Sequence, residues 1–196
     1  MYKSKMNNIL NNSKNDIVIL FPTDTVYGLG AIPNKKALDR IFDIKKRDKN
    51  KKIIALVSKK ETINKIIETN NLIDKIIDRL FPGAITLIAK STPFIKELLG
   101  YEDIGVRIPN NKKALEIIDK FGGILMTTSA NISGKEAPKK YSEIDEEILK
   151  LVDYKYIDDS NLSGISSSIF KVDGENITLL REGSISLIEL TKLKEE

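Results

Sequence analysis

Four stretches of the chain, far apart in sequence, concentrate the residues able to do chemistry. The first, Pro22-Thr-Asp-Thr-Val-Tyr-Gly-Leu-Gly30, sets two threonines, a carboxylate and two glycines after an apolar run. It reads either as a turn capped by Thr23 and Asp24 or as a polar cleft wall. In the second case Gly28 and Gly30 permit close backbone approach and Thr25 and Tyr27 hydrogen-bond a small ligand. The second stretch, Lys45-Lys-Arg-Asp-Lys-Asn-Lys-Lys52, carries six cations and one anion. Such runs are commonly solvated loops, but this one is tethered by apolar residues on both sides, and a tethered cationic loop can clamp anions through Lys45 and Arg47. The third, Met126-Thr-Thr-Ser-Ala-Asn-Ile-Ser-Gly-Lys135, is a chain of hydroxyl-stabilised turns or a phosphate cradle built on Ser129 and Asn131. The fourth is a pair of arginines, Arg107 in Gly-Val-Arg-Ile-Pro and Arg181 in Leu-Leu-Arg-Glu-Gly-Ser, which are either rim ion pairs or additional anion contacts.

Composition narrows the chemistry. The 196 residues include no cysteine and no histidine, which removes disulfides, thiolate metal sites and the usual near-neutral acid/base. Carboxylates, Lys, Arg, hydroxyls, amides and a metal brought by a substrate remain. That inventory suits polyanion chemistry driven by positioning and charge stabilisation. The net charge of +4 is compatible with a nucleic acid or with a phosphate-bearing metabolite. Neither Gly-x-x-x-x-Gly-Lys-Ser/Thr nor Gly-x-Gly-x-x-Gly occurs, so the common nucleotide-binding folds are not supported. No apolar run has the length of a signal peptide or of a membrane span, and a cytoplasmic location without membrane attachment is expected.

The elements that must position these residues alternate. A short polar helix is predicted before Asp16, then a buried strand over 16–21 ended by Pro22. Asn34 caps a helix to about Ile44, with Ala37, Leu38 and Ile41 on its inner face. A strand over 53–57, amphipathic segments over 61–68 and 72–80, and a strand over 85–89 follow. Next come a strand over 104–108, a helix over 111–120 ended by Gly122-Gly123, and a strand over 124–127. Ser142, with Asp145 three residues on, is expected to cap a helix carrying Ile144, Ile148 and Leu151. Short strands over 154–157, 167–172 and 177–180 and a final helix from about Ser186 complete the chain. The pattern predicts one α/β domain over residues 1–196, a twisted mixed sheet flanked by helices with a cationic concave cleft, its ligands at the strand ends.

Taken in order, the stretches resemble the threonylcarbamoyl-AMP synthase family, the YrdC-like domain. The matching segments are Pro22 to Leu29, Lys45-Lys-Arg47, Pro82-Gly-Ala-Ile-Thr86, Val106-Arg-Ile-Pro109, Ser129-Ala-Asn-Ile-Ser-Gly134 and Arg181-Glu-Gly183. The resemblance implies synthesis of threonylcarbamoyl-AMP and pyrophosphate from L-threonine, bicarbonate and ATP, with magnesium arriving on ATP and no protein metal site. It further implies that the product feeds tRNA modification through downstream threonylcarbamoyl-transferase proteins, and it allows weak RNA or tRNA binding. By the same resemblance Lys45 and Arg47 are the catalytic pair, and Thr25, Thr127 and Ser167 lie near threonine or bicarbonate. Arg47, Arg107, Ser129, Asn131 and Arg181 would contact ATP. Lys46, Asp48 and Lys52 stand where the family often has Gly, Pro and Pro, Ala84 where it has Pro, and Ser166-Ser-Ser-Ile where it has a set such as Glu-Ser-Thr-Val. The extra C-terminal domain of longer members is expected to be absent. The rival readings are an RNA-binding domain of the same shape without catalysis, a paralogue of altered activity, and a carbamoyl-transfer domain of a larger maturation enzyme.

Overall fold

The computed structural model describes residues 16–51 and 53–195; the predicted helix before Asp16 lies outside the described residues. One sheet of nine strands runs through the molecule: β1 (Val18–Phe21), β2 (Gly28–Ala31), β3 (Ile54–Val57), β4 (Ile85–Lys90), β5 (Asp103–Arg107), β6 (Ile124–Ser129), β7 (Tyr154–Lys155), β8 (Ser168–Asp173) and β9 (Asn176–Arg181). Their spatial order is β7-β1-β2-β6-β3-β5-β4-β8-β9. Parallel pairs (β1/β7, β3/β5, β4/β8) are interleaved with antiparallel ones, which makes the sheet mixed, as the alternation predicts.

The helices are α1 (Lys35–Lys45), α2 (Asn71–Leu80), α3 (Pro93–Leu99), α4 (Lys112–Lys120), α5 (Glu146–Leu151) and α6 (Leu187–Glu195). Three begin on an asparagine whose side chain accepts a first-turn amide: Asn34 from Ala37, Asn70 from Ile73 and Asn111 from Ala114. This satisfies donors that a helix N-terminus otherwise leaves unpaired. Their apolar stripes are buried, as with Ala37, Leu38 and Ile41 on α1 and Ile117 and Ile118 on α4. Helix α1 packs on β1 and β2, and α4 on β3 and β6.

Several expectations are corrected. Gly28–Ala31 is a full strand between β1 and β6 rather than loop. A two-glycine strand is poorly signalled by sequence because glycine has weak strand preference. Packing requires the glycine at position 30: a Cβ there would stand 2.8 Å from the ring of Phe21. The segment over 61–68 is instead a 3₁₀ turn at Lys60–Lys65, and helix α3, capped by Thr92 with Pro93 in its first turn, was not anticipated. Asp145, not Ser142, caps α5 by accepting the Glu147 amide; Ile144 precedes the helix and Leu151 is exposed.

Candidate active site

A cavity of about 180 Å³ lies over one face of the sheet and opens to solvent. Its floor is Ile54 and Leu56 of β3, which share a face by the two-residue period of strands, with Thr127, Thr128 and Ser129 of β6. Cross-strand register explains the grouping, because Thr127 sits opposite Ile54 and Ser129 opposite Gly28, and directly paired residues share a face. The predicted location at strand ends thus holds for the rim, while the floor is the sheet itself.

The turn between β1 and β2 forms one wall. Thr23, 3% exposed, accepts the amides of Thr25 (3.1 Å) and Val26 (3.3 Å) and donates its proton to the Val26 carbonyl at 2.7 Å. This is the capped turn expected from Thr23, and it is also the cleft wall. Tyr27 lines the cavity, but its hydroxyl is bonded within the protein. Its hydroxyl donates to Asp159 Oδ1 (2.7 Å) and accepts the Asp158 amide (2.9 Å), and burial together with Asp159 pushes its pKa up. The segment around Ser163 and Gly164 straps this wall, with both amides donating to the carbonyls of Asp24 and Thr25.

Arg107 closes the floor from the end of β5. Its Nε donates to the Gly83 carbonyl (2.9 Å), Nη1 to Thr25 Oγ1 (2.9 Å) and Nη2 to Asp24 Oδ1 (2.6 Å). The guanidinium and the carboxylate are 5% and 14% exposed, so this is a buried, hydrogen-bonded ion pair. Burial lowers the pKa of Arg107 and Asp24 opposes that effect. Asp24, which the sequence motif includes without a role, is its counter-charge.

Lys45 and Asn131 stand behind the wall and do not line the cavity. Lys45 is 1% exposed. Its ammonium donates to the main-chain carbonyls of Ser129 and Asn131 and, at 3.2 Å, to Asn131 Oδ1, which uses its three protons. Burial and the neighbouring Arg47 push its pKa down to about 7. Asn131 Oδ1 also accepts from Ser129 Oγ (2.5 Å), and its Nδ2 donates to the carbonyls of Ile132 (3.1 Å) and Lys135 (2.6 Å). The asparagine amide therefore has its capacity filled by the protein, and Ser129 faces the cavity with its proton already committed. Lys46, where the family often has Gly, caps α1 in the left-handed conformation at φ 51, a position that suits glycine. Lys52 lies outside the described residues.

The opposite wall comes from β8 and β9. Arg181 donates through Nε (3.0 Å) and Nη2 (2.8 Å) to the Ser167 carbonyl and through Nη2 (3.1 Å) to its hydroxyl, which also meets Thr86 Oγ1 at 2.8 Å. Among the described residues no carboxylate pairs with Arg181 and its Nη1 has no partner. Gly183 backs this wall: a Cβ there would lie 2.4 Å from the Ser166 carbonyl oxygen and 2.5 Å from the Ser168 nitrogen. Arg47 completes the rim, its Nε donating to the Lys51 carbonyl at 3.1 Å. Burial lowers the pKa of both Arg47 and Arg181.

Seven of the nine residues selected from sequence therefore line one cavity: Thr25, Arg47, Arg107, Thr127, Ser129, Ser167 and Arg181. Three guanidiniums meet a surface of hydroxyls, and among the described residues no carboxylate lines the cavity. Such a surface favours an anionic ligand. The described residues also hold no group of three or more acidic or other metal-ligating side chains, and no helix among them is long and apolar enough to cross a membrane. From the sequence Thr23 and Asp24 enter only as turn caps and Thr86 without a role; Thr23 does cap the turn, whereas the Asp24 carboxylate pairs with Arg107. For Asp24 the available signal was its place between two threonines, opposite an arginine motif that had no assigned partner.

Comparison with known proteins follows the same segments. The Sua5_yciO_yrdC family model, described as "Telomere recombination", matches residues 11–183. A protein of Methanocaldococcus jannaschii, provisionally named a threonylcarbamoyl-AMP synthase, is 38% identical over 181 residues, covering 91% of this chain and 85% of its own. A threonylcarbamoyl-AMP synthase of Pyrococcus abyssi is 27% identical over 180 residues; the chain spans 53% of that longer protein. The crystal structure of P. abyssi Sua5 complexed with L-threonine superposes with a TM-score of 0.84 at 26% identity, covering 97% of this chain and 57% of that one.

Proposed function

The chain belongs to the Sua5/YciO/YrdC family, and from that premise we propose that it is a threonylcarbamoyl-AMP synthase. It converts L-threonine, bicarbonate and MgATP to threonylcarbamoyl-AMP and pyrophosphate, the activating step of tRNA threonylcarbamoylation. The observation that carries the reading is the convergence of five of the six motif segments on one cavity lined by three arginines and hydroxyls, without a carboxylate among the described residues, the sixth bonding to Arg107 and Ser167 from outside it.

The chemistry fits a site that has neither histidine nor cysteine. The amine of threonine adds to bicarbonate with loss of water and leaves a carbamate. A carbamate oxygen then attacks the α-phosphorus of ATP and expels pyrophosphate. Both steps concentrate negative charge, so fixed cations and dipoles supply the main stabilisation. At about 180 Å³ the cavity falls below the roughly 300–1,000 Å³ typical of sites for drug-sized ligands. It suits an amino acid and its carbamate, with the nucleotide extending across the open mouth past Arg47, Ser129 and Arg181. Lys45 and Asn131 act from behind by holding the 129–131 turn. Magnesium enters as part of the nucleotide substrate. The product, a reactive mixed anhydride, passes to a threonylcarbamoyl-transferase in the cytoplasm, and any contact with tRNA is weak and electrostatic.

The test is incubation of the purified protein with labelled ATP, bicarbonate and magnesium, with and without L-threonine. Threonine-dependent pyrophosphate release is expected, and its absence sinks the assignment. If the chain instead bound RNA with steep salt dependence and no such turnover, the non-catalytic reading would replace it. Arg47→Ala is expected to lower kcat/KM about a hundredfold, the scale of one lost electrostatic contact to a transferring group, with circular dichroism unchanged. Full activity in that variant would remove the cationic loop from the mechanism.

A further inference from the structure

Thr86 is fully buried near the start of β4 and does not line the cavity. Its methyl lies over Gly105 of β5, where a Cβ would stand 3.0 Å from it, and a β-branched side chain is stiff at χ1. The hydroxyl is thereby held toward the Ser167 hydroxyl, 2.8 Å away at the entry to β8. That contact carries one proton, and its direction follows from what else each oxygen holds. Among the described residues Thr86 has no second hydrogen-bond partner for its hydroxyl, whereas Ser167 also accepts from Arg181 Nη2 at 3.1 Å and lines the cavity. If Ser167 donated, the Thr86 proton would be orphaned in a closed interior, at the full desolvation cost of a donor. If Thr86 donates, it lacks only donors to its own lone pairs, a shortfall that buried oxygens tolerate better. Thr86 is therefore the donor. Both lone pairs of Ser167 are then occupied, one by Thr86 and one by Arg181, and what Ser167 has left for the cavity is its proton.

We propose that Thr86 is a positioning residue for the synthase reaction: by filling the second lone pair of Ser167 it keeps that hydroxyl a hydrogen-bond donor toward the cavity. The inference rests on the reading of the chain as a threonylcarbamoyl-AMP synthase. Ser167 beside the substrate belongs to that reading; Thr86 adds the polarity. The group that faces Ser167 is then an anionic acceptor oxygen, from the L-threonine carboxylate, bicarbonate or a nucleotide phosphate, next to an Arg181 that no carboxylate of the described residues pairs. A substrate ammonium finds no lone pair on Ser167. A serine free to turn would serve either polarity, whereas one with both lone pairs filled discriminates, because a mismatched partner leaves a polar group unpaired.

The experiment measures pyrophosphate release by the full chain, varying L-threonine, bicarbonate and MgATP in turn, for wild type, Thr86→Val, Thr86→Ser, Ser167→Ala and the Thr86→Val/Ser167→Ala double variant. Thr86→Val has nearly the shape of threonine but no proton for Ser167. It is expected to raise KM for one of the three substrates about fivefold, the scale of one neutral hydrogen bond, with the other two unchanged. The substrate whose KM moves is the one whose oxygen Ser167 reads. Thr86→Ser keeps the donor and is expected to keep the wild-type KM values. In the Ser167→Ala background Thr86→Val is expected to add less than about twofold, because Thr86 acts through that hydroxyl. Unchanged KM values in Thr86→Val overturn the proposal. So do effects of the two substitutions that multiply, or equal rises in all three KM values that Thr86→Ser shares, since Thr86 would then be only packing. If Thr86→Val does not fold, Thr86→Ala takes its place in the same cycle. An inactive wild type sinks the synthase assignment itself, a failure distinguishable from these.

Discussion

Arg107 and Arg181 look equivalent in sequence, each an arginine closing an apolar strand, and the fold gives them opposite situations. Arg107 is buried with three protein acceptors, one of them a carboxylate. Arg181 is exposed, bonded only to Ser167 and Thr86's partner hydroxyl on that residue, and without a carboxylate among the described residues. A cation neutralised inside the protein shapes a site, whereas one left without counter-charge at the rim retains its field for a ligand. The same residue type at the same kind of position thus divides into a structural part and a ligand-facing part, and the division is decided by whether an acid stands within reach.

Substituting the structural arginine is the strongest way to break the comparison. Arg107→Met keeps the aliphatic stem but strands the Asp24 carboxylate, the Gly83 carbonyl and Thr25. Removing one partner of a buried pair costs roughly 3–5 kcal/mol, so urea unfolding should show a loss of that order, with activity lost as well. A loss below about 1 kcal/mol would mean that Arg107 is no more structural than Arg181. Gly183→Ala comes next. Its new methyl would meet backbone atoms of Ser166 to Ser168, which cannot rotate away as a side chain could. Overpacking of this kind costs about 1–3 kcal/mol, and displacement of Ser167 should lower kcat/KM by more than the stability loss alone would suggest. An active, fully stable Gly183→Ala would show that the Ser167 wall tolerates movement.

How much of this was legible beforehand depended on whether the signal was local. The Asn34 cap, the α1 stripe and the mixed sheet followed from residue types a few positions apart, and seven cavity residues were located from the sequence, five of them within the motif segments. What escaped was non-local. The strand status of Gly28–Ala31 comes from two flanking strands, and the need for glycine at position 30 comes from the ring of Phe21. The pairing of Asp24 with Arg107 spans 83 residues. Lys45 and Asn131 were selected by motif, yet their donors and acceptors are turned toward each other and the backbone. Residue type located them, but the direction of each hydrogen bond needed coordinates.

Arg181→Gln carries the smallest expected change in stability and sharpens the comparison most. Glutamine can still donate to the Ser167 carbonyl, and no buried carboxylate is stranded. The residue is exposed, so the unfolding free energy should move by less than about 1 kcal/mol. The charge facing the cavity, however, disappears, and so does the like-charge pressure that Arg181 and Arg107 exert on each other. If Arg181 neutralises the nucleotide during transfer, kcat should fall about a hundredfold while KM for L-threonine stays near the wild-type value. If it only seats ATP, KM for MgATP should rise with kcat preserved. A variant with neither change would return Arg181 to the same structural class as Arg107, and the distinction drawn from their counter-charges would fail at the site where it matters for chemistry.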